Sequence, residues 1–425
     1  MKEIFSKHWL SRICEFRMPP NVLFGFDATE KCGEMATQIS LNRDAIVITD
    51  KFLVESGLVD QVLNSLELNN FTVEVYATEV AEPSIKQVKK VINEASKKDF
   101  GIVVGVGGGS SLDRAKIAAC FGGTSDHFQD YLAPSNKLLT HSKPKLLLPT
   151  TSGTGSEASN TAVVTTAEGY IGSAKTWVTG DKVRAEAVIV DPALTIGLPP
   201  KTTASTGMDA LSHCAEGVIS KQANPLSDAL ALQGVKLVFE NLRTAYQEGE
   251  DLEARWNMAM AAMLGGVVIS FPGVAGPATL GHAASEGISP KYSMPHGAAC
   301  GVLLPYVFWF NLSSAYGQKK LAIMAELMGI ETNKMSEARS AELTIRKTFD
   351  LLEDLEIPSD LKNFGMKEED IPVVAKYILE RSETMYSMSA FNPRKASIGN
   401  LEEFFYVAYE GRECLEKLIS KRNRR

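Results

Sequence analysis

Residues 102–116 read IVVGVGGGSSLDRAK, a β-branched run that enters three consecutive glycines and then a stretch of helix-forming residues. The spacing predicts a strand over 102–106, a turn at Gly107, Gly108, Gly109, Ser110 and Ser111, and a helix over 112–120. A strand, a side-chain-free turn and a helix N-terminus together form an anion site, because free amides and the helix dipole face whatever the bare backbone lets approach. The same glycines also suit a plain tight turn. GVGGGS is not the usual dinucleotide fingerprint: Ser110 stands where the third glycine of G-x-G-x-x-G would fall, and the loop follows a later strand. A second small-residue loop, Thr150 to Ser156 (TTSGTGS), follows the run LLLP at 146–149. Two such loops at the carboxyl ends of one parallel sheet would line one crevice.

Outward from this stretch, strand-like runs at 45–49, 72–76, 146–149 and 188–191 alternate with helical patterns at 51–68 and 84–97. This alternation predicts an α/β domain with a mostly parallel sheet covered by helices. Beyond the double proline at 199–200 the pattern changes to long helical windows at 225–242, 252–264, 318–328, 336–353 and 401–419. The expected organisation is an α/β dinucleotide-binding domain over residues 1–198 and a helical metal-binding and substrate domain over 199–425. With 425 residues the chain is long for a single core.

A hydrophobic fraction of 44%, a charged fraction of 22% and a formal charge of -7 describe a globular protein without a cationic surface. General nucleic-acid or anionic-membrane binding is therefore not expected. Six scattered cysteines without a CxxC pair suit a reducing compartment. The first twenty residues carry charges throughout, and no segment approaches the roughly 20 apolar residues of a membrane span. A cytoplasmic location is the expectation.

Histidine is scarce, at six in the chain, and the last three are His213, His282 and His296. In TGMDALSHCAEG, Asp209 and His213 are four apart and share one face of a helix; helix-surface ion pairs have the same spacing. In GHAASEGISPKYSMPHG, His282 and His296 flank a turn rich in glycine and proline that would fold the chain back on itself. One carboxylate with three imidazoles suits iron or zinc, whereas calcium and magnesium prefer oxygen-rich sites.

The GGGSSLDRAK loop, the TTSGTGSE segment, DPALTIGLPP, the GMDALSH helix start and the paired His282 and His296 occur in the order and spacing of the iron-containing (type III) alcohol dehydrogenases. The resemblance extends from about Val22 to Gly411. It implies an N-terminal nucleotide-binding α/β domain, an all-helical C-terminal domain of the dehydroquinate synthase-like plan, and a metal in the cleft between them. It also implies Asp209, His213, His282 and His296 as metal ligands, Fe2+ first and Zn2+ as the alternative. Gly107, Gly108, Gly109, Ser110 and Asp113 match the pyrophosphate-binding motif, and Thr150, Thr151 and Ser156 match the second cofactor-contacting segment. Lys175 matches a lysine near the nicotinamide; a solvated charge is the plainer account of it. Asp50 matches the residue that contacts the adenosine ribose, where a carboxylate favours NAD over NADP, and it is equally placed to cap the helix from Lys51. A homodimer or larger homo-oligomer is implied as well.

One position departs from the resemblance. Many relatives carry a further histidine four residues after the third ligand, thought to relay the proton, whereas this chain has Glu286 there. The expected activity is hydride transfer between a nicotinamide and a small alcohol or aldehyde, with Glu286 as proton relay or as a shaper of the pocket. A dehydroquinate-synthase-like lyase, a metal-free reductase of the maleylacetate reductase kind and a non-catalytic nucleotide-binding protein are the alternatives. Retention of all four ligand positions counts against the metal-free branch.

Overall fold

The computed structural model describes residues 14–79, 82–135, 137, 139–169, 172–271, 279–384 and 391–422. The charged stretch 1–13 and the last three residues of the basic tail lie outside the described residues.

Six strands form one parallel sheet: β1 (Asn21–Phe24), β2 (Asp44–Asp50), β3 (Thr72–Thr78), β4 (Ile102–Gly107), β5 (Lys145–Pro149) and β8 (Ala187–Val190), in the order β1-β8-β5-β4-β2-β3. Alternate side chains enter opposite faces. Val47, Val104, Val106, Leu146 and Leu148 pack with Ala36 of α1 (Cys32–Ile39) and with Val62 and Leu66 of α3 (Asp60–Leu68). Ile46, Ile48, Val103 and Leu147 pack with Val91 of α4 (Ile85–Ala95) and with Leu112 and Ala115 of α5 (Gly109–Phe121). Burial of both faces is why the central strands are continuously apolar in sequence.

The expected helix over 51–68 is two helices, α2 (Lys51–Glu55) and α3, separated by Gly57 at φ 77°. A positive φ has no place in a right-handed helix, so apolar periodicity persisted across a break in the backbone. One element was not anticipated. β6 (Thr161–Gly169) and β7 (Gly172–Thr179) form an antiparallel hairpin. Its Trp177 and Ala174 enter the core of the helical half, while Ala162, Val164 and Val178 pack beside α5.

The remainder is helical: α6 (Pro200–Ile219), α7 (Pro225–Gln247), α8 (Leu252–Ser270), α9 (Leu280–Ile288), α10 (His296–Asn311), α11 (Ala315–Leu327), α12 (Glu337–Asp354), α13 (Ile371–Thr384), α14 (Ile398–Glu410) and α15 (Arg412–Arg422). The window 401–419 thus divides at Gly411, at φ 93°. α6 and α10 are buried along almost their whole length and carry the centre of the helical core. Ala259 of α8 packs against the sheet while Met258 and Ala262 belong to the helical core, so α8 joins the two halves. Among the described residues no helix is long and apolar enough to cross a membrane.

Candidate active site

β4 ends at Gly107 and α5 begins at Gly109, with Gly108 as its N-cap. Gly107 has φ 144°, and a Cβ there would stand 2.7 Å from that of Ser111, so the turn admits no side chain. The first amides of α5 have no acceptor within their own helix, which leaves donors for an anion at the sheet's carboxyl edge. The loop after β5 lies alongside, with the Thr150 amide donating to the Gly107 carbonyl at 3.0 Å. Asp50 ends β2, beside β4 in the sheet, and its carboxylate accepts from the Leu53 amide at 3.1 Å as the cap of α2. Burial raises the Asp50 pKa, opposed by the Leu53 amide and the Arg114 charge.

Asp113 and Ser156 sit beneath the two loops and are engaged with each other. Ser156 Oγ donates to Asp113 Oδ1 at 2.6 Å, and the Val163 amide donates to Oδ2 at 3.0 Å. The buried Lys116 ammonium donates to Ser156 Oγ (2.8 Å), Ser159 Oγ (2.9 Å) and the Thr161 carbonyl (2.7 Å). Burial pushes the Lys116 pKa down, with Asp113 opposing. This network ties both loops to the β6–β7 hairpin and holds the crevice edge in one shape.

The second cluster lies in the helical half. Asp209 and His213 are one turn apart on α6, His282 is in the first turn of α9, and His296 opens α10. Asp209 Oδ1 lies 4.0 Å from His213 Nε2, 3.6 Å from His282 Nε2 and 3.9 Å from His296 Nε2. The His213 and His282 rings stack at 4.4 Å, and His296 meets His282 edge-on at 5.5 Å. Gly297 permits this approach, since a Cβ there would stand 2.1 Å from the Ser205 carbonyl oxygen and 2.9 Å from Asp209 Cβ. Burial lowers His213 to about 4 and carries His296 well below its ordinary value, aided for His296 by the Lys175 charge. Both imidazoles are therefore neutral near pH 7, with lone pairs free to bind a cation. Burial would raise Asp209, but the three histidines outweigh it and keep the carboxylate ionised.

Glu216, which sequence reasoning passed over, orients this cluster. Its fully buried carboxylate accepts from His282 Nδ1 at 2.6 Å, the amides of Thr279 (2.7 Å), Gly281 (3.1 Å) and His282 (3.1 Å), and the Thr279 hydroxyl (2.6 Å). It thus caps α9 and aims His282 Nε2 at Asp209. The signal was available only as a carboxylate one turn beyond His213 in TGMDALSHCAEG. Glu216→Gln is expected to weaken metal retention about 10- to 100-fold, as loss of outer-shell support generally does; chelator competition measures it, and unchanged retention would reduce Glu216 to a helix cap.

Lys175, on β7, is brought to the same place. Its ammonium is buried 3.2 Å from Glu82 Oε1, and its charge acts on both His296 and Glu286. Arg381 of α13 donates to the Lys175 carbonyl and lies over the Tyr377 ring at 5.3 Å. Glu286 follows His282 by one turn of α9; it is buried, and its Oε2 has no hydrogen-bond partner among the described residues. Burial pushes Glu286 up to about 7, against the pull of Lys175, Arg381 and His282.

Asp209 Oδ1 and His282 Nε2 are buried without hydrogen-bond partners among the described residues. Orphaned acceptors of this kind, facing one another in a histidine cluster, are what a divalent cation satisfies. A turn with free amides at a sheet edge and a carboxylate-histidine cluster with unpartnered acceptors are the parts of an enzyme that joins a nucleotide to a metal. Residues 19–192 match the iron-containing alcohol dehydrogenase family, and residues 203–408 match the C-terminal region of the Fe-containing alcohol dehydrogenase family. The chain is 36% identical to long-chain-alcohol dehydrogenase 1 of Geobacillus thermodenitrificans over 86% of this chain and 89% of that one. It is 32% identical to the NAD-dependent methanol dehydrogenase of Bacillus methanolicus over 91% and 98%. The crystal structure of a 1,3-propanediol oxidoreductase superposes with a TM-score of 0.84 at 32% identity, covering 94% of this chain and 100% of that one. The chain belongs to the iron-containing alcohol dehydrogenase family, and it is an enzyme that interconverts alcohols and aldehydes.

Proposed function

We propose that this enzyme uses NAD(H) in preference to NADP(H), and that Asp209, His213, His282 and His296 hold a divalent metal, Fe2+ first and Zn2+ as the alternative. The observation that carries the reading is the buried Asp209 carboxylate with three imidazole nitrogens within 4.0 Å of its Oδ1. In this reading residues 1–198 form the dinucleotide-binding domain and residues 199–425 the metal-binding and substrate domain.

A divalent cation with this ligand set would keep a formal charge near +1 and draw electron density from an alcohol or carbonyl oxygen, and a bound nicotinamide would supply the hydride chemistry. The chain's own residues do the rest. The amides at Gly107, Gly108, Gly109 and Ser110 would donate to the pyrophosphate, Thr150 and Thr151 would border it, and Asp113 and Ser156 brace the two loops. Lys175 neutralises Glu82 and sits between the cofactor crevice and the metal centre. Glu286 accepts the proton that leaves the alcohol and returns it when an aldehyde is reduced. The six free thiols fit a cytoplasmic enzyme, and the homo-oligomer implied by the resemblance completes the proposal.

The test is turnover of NADH and NADPH with charged and neutral aldehydes on protein reconstituted with iron or zinc. Absence of turnover with every pair would overturn the reading. Asp50 decides the cofactor within it. Its carboxylate, at the edge of the crevice, would repel a 2′-phosphate, so Asp50→Gly is expected to raise the NADPH-to-NADH ratio of kcat/KM by about tenfold, the factor that 1.4 kcal/mol of lost repulsion gives. An unchanged ratio would leave Asp50 as the cap of α2 alone.

A further inference from the structure

Cys300 stands one turn after His296 on α10, in HGAACG, and the four-ligand set omits it. One donor atom from each of Asp209, His282, His296 and Cys300 can be chosen so that all four lie within 4.8 Å of one another. Cys300 Sγ is 3.8 Å from His296 Nε2. With ordinary metal–sulfur and metal–nitrogen lengths, a sulfur and an imidazole nitrogen on one five-coordinate ion are about 3.1 to 3.8 Å apart. The spacing is therefore that of two ligands of one ion. The thiol also donates to the Ser285 hydroxyl, 3.2 Å away. Cys300 is buried, so it does not serve as a surface thiol. Asp209 Oδ1 and His282 Nε2, which have no hydrogen-bond partner among the described residues, belong to the same group of donor atoms as the cysteine sulfur.

We propose that Cys300 is a further, sulfur donor to the metal centre, which makes this site softer than a carboxylate-histidine site and raises its preference for zinc and cobalt over ferrous iron. On binding, the S–H bond breaks, the proton passes to solvent and the sulfur shares its electron pair with the cation. Thiolate ligands select zinc-like ions over harder ones. Ser285 receives the thiol hydrogen in the free site and loses that bond in the loaded one. The inference rests on the proposed metal centre, but it is separable from it.

Cobalt(II) provides the readout. The full-length protein is stripped with chelator, loaded with Co2+ under anaerobic conditions, and compared with Cys300→Ser and Cys300→Ala. The parent is expected to show a near-ultraviolet sulfur-to-cobalt charge-transfer band that is absent from both variants, while the visible cobalt bands of the histidine ligands persist in all three. Zinc retention against chelator is expected to fall on the order of 10-fold in both variants, with ferrous iron retention changed less. Thermal melting of the apo proteins confirms folding, and the serine variant preserves both size and the bond to Ser285. Visible cobalt bands without the near-ultraviolet band in the parent would overturn the sulfur ligand and leave the metal centre intact. Failure of the parent to bind cobalt, zinc or iron would overturn both.

Discussion

His282→Ala is expected to lose bound metal and more than about 100-fold of the activity together, beyond the 10- to 100-fold that outer-shell changes cost. The reason lies in where His282 stands. Its Nε2 is 3.6 Å from Asp209 Oδ1, and its Nδ1 is held by Glu216, so the ring is fixed from behind and offers a single lone pair to the cluster. Alanine removes that lone pair and leaves a weaker remnant. The fold should survive, because the Glu216 carboxylate keeps the Thr279 and Gly281 amides and the Thr279 hydroxyl as donors. Metal analysis, steady-state kinetics and thermal melting on the same preparation separate the outcomes. Full metal content with full activity would remove His282 from the ligand set.

Replacement of Glu286 by glutamine is expected to cost on the order of 100-fold in turnover, the low end for general acid-base catalysis, with metal content unchanged. The amide keeps the size of the side chain and removes its capacity to exchange a proton. Burial lifts the Glu286 pKa to about 7, with Lys175, Arg381 and His282 pulling it down. Accepting a proton requires the ionised form, so alcohol oxidation in the parent should rise with pH through the ionisation of this group. A bound cation draws that ionisation below 7, because it favours the carboxylate. Aldehyde reduction, which needs the protonated form, should fall over the same window. Both limbs should flatten in the variant. Retained turnover and pH profile with an altered order of preferred aldehydes would make Glu286 a specificity residue. Loss of metal would make it a support for the ligands.

The sheet and its crevice were legible in the sequence because each depends on local rules. β4 and the turn at Gly107 are a β-branched run followed by a residue that tolerates positive φ, although α5 begins at Gly109, three residues before the expected start, because glycine and serine can occupy a helix's first turn. Continuous apolar runs and helical spacing also placed the cores of most other elements. Element ends were less legible. The breaks at Gly57 and Gly411 leave apolar periodicity uninterrupted on either side, so only the backbone conformation reveals them. The β6–β7 hairpin went unread because its strands mix threonine, alanine and glycine, and its burial comes from contacts with both halves of the chain.

The same division runs through the site. Sequence alone determined that Asp209 and His213 share a helix face, since a separation of four residues fixes their relation through backbone geometry. It also singled out His213, His282 and His296 as candidate ligands, because histidine is scarce in this chain, while the full set with Asp209 was what the resemblance implied. Only the tertiary structure decided that His282 and His296 meet Asp209 at 3.6 and 3.9 Å, since His282 is held by Glu216 of α6 and His296 depends on the close packing of α10 against α6 that Gly297 permits. Tertiary structure likewise decided the roles of residues remote in sequence. Glu216 reaches His282 across 66 positions, the Lys175 charge reaches Glu286 and His296 from a different element, and Cys300 Sγ joins donors from α6 and α9. A side chain's chemistry is written in its identity, but its partners are set by distances across the fold, and those follow from packing rather than from spacing along the chain.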